Sequence, residues 1–204
     1  MPTPLKFNFL LFILFGPFLV SSQAQLTEIN KKDGLFQFDI RYATSDNFLN
    51  EVLYDCAKCY LHPEVAEALT NAAYFFCDRG YVIKLFDCYR PLSVQKRMWE
   101  KLPNRIYVAN PARGSMHNRG AAVDLTLVTR DCTPLDMGSD YDFFGRASHT
   151  DNYNFPEEIL KNRALLREGM EQFGFTIIQS EWWHFNYYRQ GRSPLLDFGF
   201  NCQN

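Results

Sequence analysis

The stretch Ser115-Met116-His117-Asn118-Arg119-Gly120-Ala121-Ala122-Val123-Asp124-Leu125-Thr126-Leu127-Val128 starts as a loop and ends as a strand. From Ala121 to Val128 the apolar Val123, Leu125 and Leu127 alternate with Ala122, Asp124 and Thr126, the period of two that marks an extended chain. One face of that strand belongs to a core, and the other carries Asp124 away from it, toward a site. Gly120 lets the backbone turn tightly between the His117 loop and the strand.

Working outward toward the N-terminus, Tyr81 to Phe86 is a short, partly β-branched apolar run, a buried strand. Asp87-Cys88-Tyr89-Arg90-Pro91 then makes a sharp exit into a helix ending near Lys101. Between His62-Pro63 and Arg79, Val65, Leu69, Ala72, Ala73 and Phe76 recur at helical spacing, and Gly80 is placed to end that helix. Phe36, Phe38, Ile40 and Tyr42 fall on one side of an alternating pattern, which predicts a strand over Leu35 to Tyr42. Toward the C-terminus, residues 131–155 form a loop, and Pro156 to Phe173 a third helix with Pro156 in its first turn and Gly174 at its end. Phe175 to Gln179 and Trp182 to Tyr188 are two further strands. Strands and helices do not alternate strictly and no repeat is present, so the class is α+β: one domain, a central, mainly antiparallel sheet flanked by helices.

The chain opens with Lys6, an apolar run from Phe7 to Val20, and Ser22-Gln23-Ala24, with small residues where a signal peptidase cuts. The run is shorter than the ~20 residues a bilayer requires. Residues 1–24 are therefore expected to be a secretory signal, and residues 25–204 an exported protein, periplasmic or extracellular, with no membrane attachment after cleavage. Roughly 180 residues suffice for one well-filled domain. A net charge of -2 with no basic run excludes nucleic acid as a partner. The six cysteines, Cys56, Cys59, Cys77, Cys88, Cys132 and Cys202, are an even set that reads first as disulfides in an exported protein. Cys56-Ala57-Lys58-Cys59 has the spacing of a zinc knuckle or a redox pair, but no second CxxC follows and no βαβ context surrounds it. The sequence selects neither a cysteine pairing nor an oligomeric state.

Two segments carry chemistry. His117 to Asp124 and Glu181-Trp182-Trp183-His184 together supply two imidazoles and two carboxylates. A catalytic zinc needs three protein ligands, one open position and a nearby base; His117, Asp124 and His184 fit as ligands of one Zn2+ per chain, and Glu181 as the base. The aromatic residues around His184 favour a strand, in which residues three apart face opposite sides. Either a bulge or a position at the strand's first residue must re-aim Glu181, and both remain open. Arg90, always charged and at the abrupt end of a buried strand, is the candidate for steadying an oxyanion.

RYATSDNF, FDCYRP, SMHNRGAAVDLTL, DMGSDYDF and SEWWHF occur in the order and approximate spacing of the D-alanyl-D-alanine dipeptidases associated with vancomycin resistance and peptidoglycan salvage. The chain resembles that family across nearly all of its mature length. The resemblance implies a hedgehog- and D,D-peptidase-like zinc fold, with His117, Asp124 and His184 on zinc, Glu181 as base and Arg90 stabilising the transition state. It also implies that Asp142 holds the substrate's free amino terminus, with Tyr42 beside it, and that Ser115 lies near the substrate carboxylate. His149, in a segment similar to the family's SHH but followed by Thr150, is read as structural or as a support behind the site residues. The implied reaction is hydrolysis of the small dipeptide D-Ala-D-Ala to two D-alanines by zinc-bound water that Glu181 activates. Two alternatives stand beside it: an exported D,D- or L,D-carboxypeptidase acting on peptidoglycan peptides, and a non-catalytic zinc-containing binding module.

Overall fold

The computed structural model describes residues 26–30 and 34–203, so the expected leader at 1–24 lies outside the described residues. In chain order the elements are β1 (Thr27–Ile29), β2 (Phe36–Phe38), β3 (Cys59–Leu61), α1 (Pro63–Cys77), β4 (Tyr81–Asp87), α2 (Leu92–Lys101), β5 (Ala122–Thr129), α3 (Glu157–Glu171), β6 (Thr176–Ile177) and β7 (His184–Asn186). The main sheet has the order β2-β4-β5-β7-β6; β2 and β4 run parallel and every other neighbouring pair is antiparallel. β1 and β3 form a separate antiparallel ribbon. The α+β class with a mainly antiparallel sheet is what the chain adopts.

β5 sits at the centre of the sheet. Its Val123, Leu125 and Leu127 are fully buried and stand opposite Phe185, Leu85 and Ile83 on the neighbouring strands. Val65, Leu69, Ala72, Ala73 and Phe76 of α1, the positions singled out by helical spacing, join the same core. α3 approaches α1 at Gly169, where a Cβ would stand 2.3 Å from Phe76 Cζ, so the two helices meet only because that side chain is absent. Burial of each such Leu or Phe is worth roughly 1.5–3 kcal/mol. The register is therefore pinned: a slip of one residue would turn the leucines outward and Asp124 into the core.

Several boundaries differ from the sequence pattern. The strand expected over Leu35 to Tyr42 pairs only from Phe36 to Phe38; the Asp39 N–H still donates to Leu85 O at 2.9 Å, and the chain then winds into a 3-10 turn over Arg41–Ala43. That turn buries Tyr42 to 2% exposure. Pro156 sits at the N-cap of α3 with extended backbone rather than in the first turn. The two last strands shorten to Thr176–Ile177 and His184–Asn186, leaving Trp182 and Trp183 in a turn.

Four of the cysteines are paired. Cys59 on β3 bridges Cys88 just past β4, and Cys56 bridges Cys202, tying the C-terminal segment to the body; Cys77 and Cys132 are free. Cys56 and Cys59 thus belong to different bridges and form neither a zinc knuckle nor a redox pair. The β3 backbone is held to the β4 exit by Tyr89 N–H donating to Tyr60 O at 2.9 Å, which brings Cys59 beside Cys88 instead.

Candidate active site

The sheet itself builds the site. Asp124 on β5 lies opposite His184 on β7 and opposite Asp87 on β4, so three strands present these side chains in one row. The third member requires an irregularity. The β4–β5 ladder runs Lys84 to Thr126, Leu85 to Leu125, and then jumps to Asp87 with Asp124. This one-residue bulge turns Asp87 from the leucine face to the face of Asp124. Asp87, fully buried, is a site residue that the sequence reasoning missed; its signal was a carboxylate at the end of an apolar strand.

His117 arrives from the loop before β5, in a 3-10 turn that Gly120 closes at φ 62°. A Cβ on Gly120 would also meet Leu26 at 2.8 Å and the His62 backbone nitrogen at 2.9 Å, so both conformation and space demand glycine. His117 donates its Nδ1–H to Cys88 O at 2.6 Å, and His184 donates its Nε2–H to Asn186 Oδ1 at 2.8 Å. Each ring thereby turns its unprotonated nitrogen inward. His117 Nε2 and His184 Nδ1 stand 3.1 Å apart, with Asp124 Oδ1 3.3 Å from the first and 2.9 Å from the second. Three buried lone pairs that face one another repel unless a cation lies among them. Two imidazole nitrogens and one carboxylate oxygen make a donor set suited to zinc, and His117, Asp124 and His184 fit that ion.

Arg90 is fastened from several sides. Its Nε and Nη2 donate to Asp87 Oδ2 at 3.0 and 2.7 Å, and its Nη1 donates to Gln95 Oε1 at 3.0 Å. Asp87 Oδ1 in turn accepts from Tyr54 Oη at 2.7 Å and from the Cys88 N–H at 2.9 Å. The guanidinium lies 5.0 Å over the Tyr42 ring, and its Nη2 is 4.0 Å from Asp124 Oδ2. A guanidinium has five N–H groups. The remaining donors belong to a side chain that lines the cleft and cannot swing away from it.

Glu181 lies ahead of β7, so neither a bulge within that strand nor its first residue is what re-aims it. Buried Ser148 clasps the chain on both sides: its Oγ donates to Ser180 O at 2.8 Å, and its backbone carbonyl accepts the Trp182 N–H at 2.9 Å. Trp182 Nε1 donates to Ser139 Oγ at 2.9 Å, and Trp183 O accepts the Leu125 N–H at 3.0 Å. The turn so fixed sets Glu181 Oε2 3.9 Å from His184 Nδ1. Burial pushes the Glu181 carboxyl up to about 8, against the pull of His184. Ser148 was not anticipated, since nothing in its local sequence announces a contact with residues 180–182.

Asp142 sits in a left-handed turn at φ 59°, a conformation that Asp tolerates better than most residues. The Tyr42 hydroxyl donates to its carboxylate, 3.1 Å from Oδ2. Burial, with the charge of Asp124 adding and Arg90 opposing, pushes the Asp142 carboxyl up to about 7. The folded chain thus keeps a proton that an unfolded chain releases near ~3.9. Between these values the folded state binds more protons, so stability is lost as pH rises. Thermal unfolding of chelator-treated protein should show a fall in Tm from pH 5 to pH 7.5 that is smaller in Asp142→Asn; equal falls would refute the assignment.

Tyr42, Arg90, Ser115, His117, Asp124, Asp142, Glu181 and His184 all line one cavity of about 270 Å³. Ser115 is held there by its N–H donating to Asn118 Oδ1 at 2.7 Å, while its Oγ accepts the His117 N–H at 3.3 Å. His149 lies elsewhere, in a cluster with Arg146 and Asp151, and its carbonyl accepts from Arg163.

The D-ala-D-ala dipeptidase family model matches residues 33–202. The chain belongs to the D-Ala-D-Ala dipeptidase family. Curated members named D-alanyl-D-alanine dipeptidase include one from Escherichia coli, 35% identical over 81% of this chain and 86% of that protein. Another, from Enterococcus faecium, is 32% identical over 73% of this chain and 84% of that protein. Among solved structures, the vancomycin-resistance D,D-pentapeptidase VanY in complex with Zn(II) aligns over 81% of this chain and 80% of that chain, at 14% identity and a TM-score of 0.43. Within this D-Ala-D-Ala dipeptidase domain the buried Asp87 and Ser148 act as supports, one beneath Arg90 and the other around Glu181.

Proposed function

We propose that the protein is a zinc metallopeptidase that hydrolyses the free dipeptide D-Ala-D-Ala to two D-alanines. The observation that carries this reading is the Asp142 carboxylate in the same small cavity as the His117, Asp124 and His184 donors. A largely buried carboxyl beside a peptidase centre ionises to pair with a terminal ammonium, which an acylated nitrogen does not offer. When bound, zinc supplies positive charge that acidifies water and polarises the scissile carbonyl. Glu181, whose carboxylate stands 3.9 Å from His184 Nδ1, takes the proton of the water that attacks the carbonyl carbon. Arg90 donates to the oxyanion that develops. As the C–N bond breaks, Glu181 returns the proton to the departing nitrogen, leaving one alanine with a new carboxylate and the other with a new amine. Ser115 completes the site by donating its hydroxyl hydrogen to the substrate carboxylate.

The protein works outside the cytoplasm in this reading. The leader-like 1–24 segment and the two disulfides support that placement, since such bridges persist in oxidising compartments. Among the described residues no helix is long and apolar enough to cross a membrane.

Turnover of free D-Ala-D-Ala compared with its N-acetyl derivative tests the substrate. The free dipeptide is expected to be preferred at least 100-fold in kcat/KM. Preference for the acetylated form would make the enzyme a carboxypeptidase, and stoichiometric zinc without hydrolysis of either would make it a binding module.

A further inference from the structure

Three half-buried rings from three separate loops pack together next to Tyr42, the residue that holds Asp142. Phe48 packs edge-on against Tyr42, ring centroids 6.3 Å apart, and lies 5.1 Å from Phe144. Tyr107 stacks on Phe144 at 4.3 Å with an interplanar angle of 18°. Phe144 follows Asp142 by two residues, and Phe48 and Tyr107 line the same cavity as Tyr42 and Asp142. Phe48 and Tyr107, with Phe144 packed against both, therefore line the cavity in which the Asp142 carboxylate would take an ammonium. Phe48 does so against the Tyr42 ring whose hydroxyl holds Asp142, which points to the amino-terminal side of a bound peptide.

The loops beneath these rings are fixed by their own hydrogen bonds. Asn47 donates its amide to Thr44 O and to Glu51 O, both at 2.8 Å, and its Oδ1 accepts the Leu49 N–H at 3.0 Å. Glu51 then takes Lys101 at 2.7 Å and Arg97 at 3.3 Å, tying the Phe48 loop to α2. Asn104 closes the Tyr107 turn: its Oδ1 accepts the Ile106 N–H at 3.0 Å and its carbonyl the Val108 N–H at 2.8 Å.

We infer that Phe48, Tyr107 and Phe144 form a fixed aromatic wall that limits the site to peptides carrying no residue on the amino side of the scissile dipeptide. The inference rests on the dipeptidase reading and deepens it. Asp142 discriminates by charge and the wall by length. An added residue would push its carbonyl and N–H against ring faces that return no hydrogen bond for the water they displace, a loss that an exposed loop would not impose.

The tripeptide Gly-D-Ala-D-Ala separates length from charge, because it keeps a free ammonium but places it one residue farther out. Release of C-terminal D-alanine from this tripeptide and hydrolysis of D-Ala-D-Ala are to be measured on the zinc-loaded protein, on Tyr107→Ala and Phe48→Ala, and on Tyr107→Phe. The kcat/KM ratio of dipeptide to tripeptide should shrink at least tenfold in each alanine variant through a gain on the tripeptide. Tyr107→Phe, which keeps the ring, should retain the parental ratio. Thermal unfolding and zinc content identify any variant that fails to fold, and the ratio is then decided by the other alanine variant. Folded, zinc-loaded variants that cleave the dipeptide but show no gain on the tripeptide overturn the wall alone. A parent protein that does not cleave the dipeptide overturns the dipeptidase reading, and the wall's role with it.

Discussion

Glu181→Gln is expected to lower kcat for D-Ala-D-Ala by roughly 10²–10⁴-fold, the contribution of a positioned general base and acid, while zinc stays at one per chain. The amide has the shape of the carboxylate but cannot accept the proton of water and pass it on. Retention of metal follows from the geometry: the converging donor atoms are those of His117, Asp124 and His184, and Glu181 Oε2 stands 3.9 Å from His184 Nδ1, outside that set. Steady-state kinetics and metal analysis of the same preparation decide the matter. Loss of zinc together with activity would make Glu181 a ligand, and full activity would remove it from the reaction.

Arg90→Ala carries the second large effect, a fall in kcat of roughly 10²–10³-fold, as expected when an oxyanion donor is lost. It also leaves Asp87 buried without its cation, which is expected to cost about 3–5 kcal/mol of stability. Asp87→Asn separates the two consequences. It keeps the guanidinium but weakens the pair of charge-assisted bonds that aim it, so kcat should fall with little change in KM. Because the residues act as one unit, the double variant should be scarcely slower than Arg90→Ala. Additive losses in kcat, measured across the full cycle, would show that Asp87 does not act through Arg90.

Local pattern carried much of the architecture. The period-two strand around Asp124, the α1 face from Val65 to Phe76 and the Gly80 terminus are dictated by neighbours in sequence, and they appear at the expected places. Patterns failed where a residue's conformation depends on a distant partner. Phe36 to Tyr42 alternates throughout, but among the described residues its only strand neighbour is β4, so the alternation continues past the last pairing and into a turn. The six cysteines left their pairing open, and contacts between segments remote in sequence joined Cys59 to Cys88 and Cys56 to Cys202.

For the site, the sequence by itself determined the chemistry available: which imidazoles and carboxylates the chain owns, the glycine that lets His117 turn into β5, and the face of β5 that carries Asp124. Those follow from residue type and from a strand's fixed alternation. Only the tertiary structure decided how they meet. Sheet register set Asp124 opposite His184, and a bulge whose position no local pattern marks brought Asp87 under Arg90. Ser148 bent the chain so that Glu181 faces the donors, and Asp142 joined Tyr42 across a separation of one hundred residues. The physical reason is the same in each case. Hydrogen bonds and packing between remote segments fix where a side chain points, and residue spacing along the chain contains no term for them.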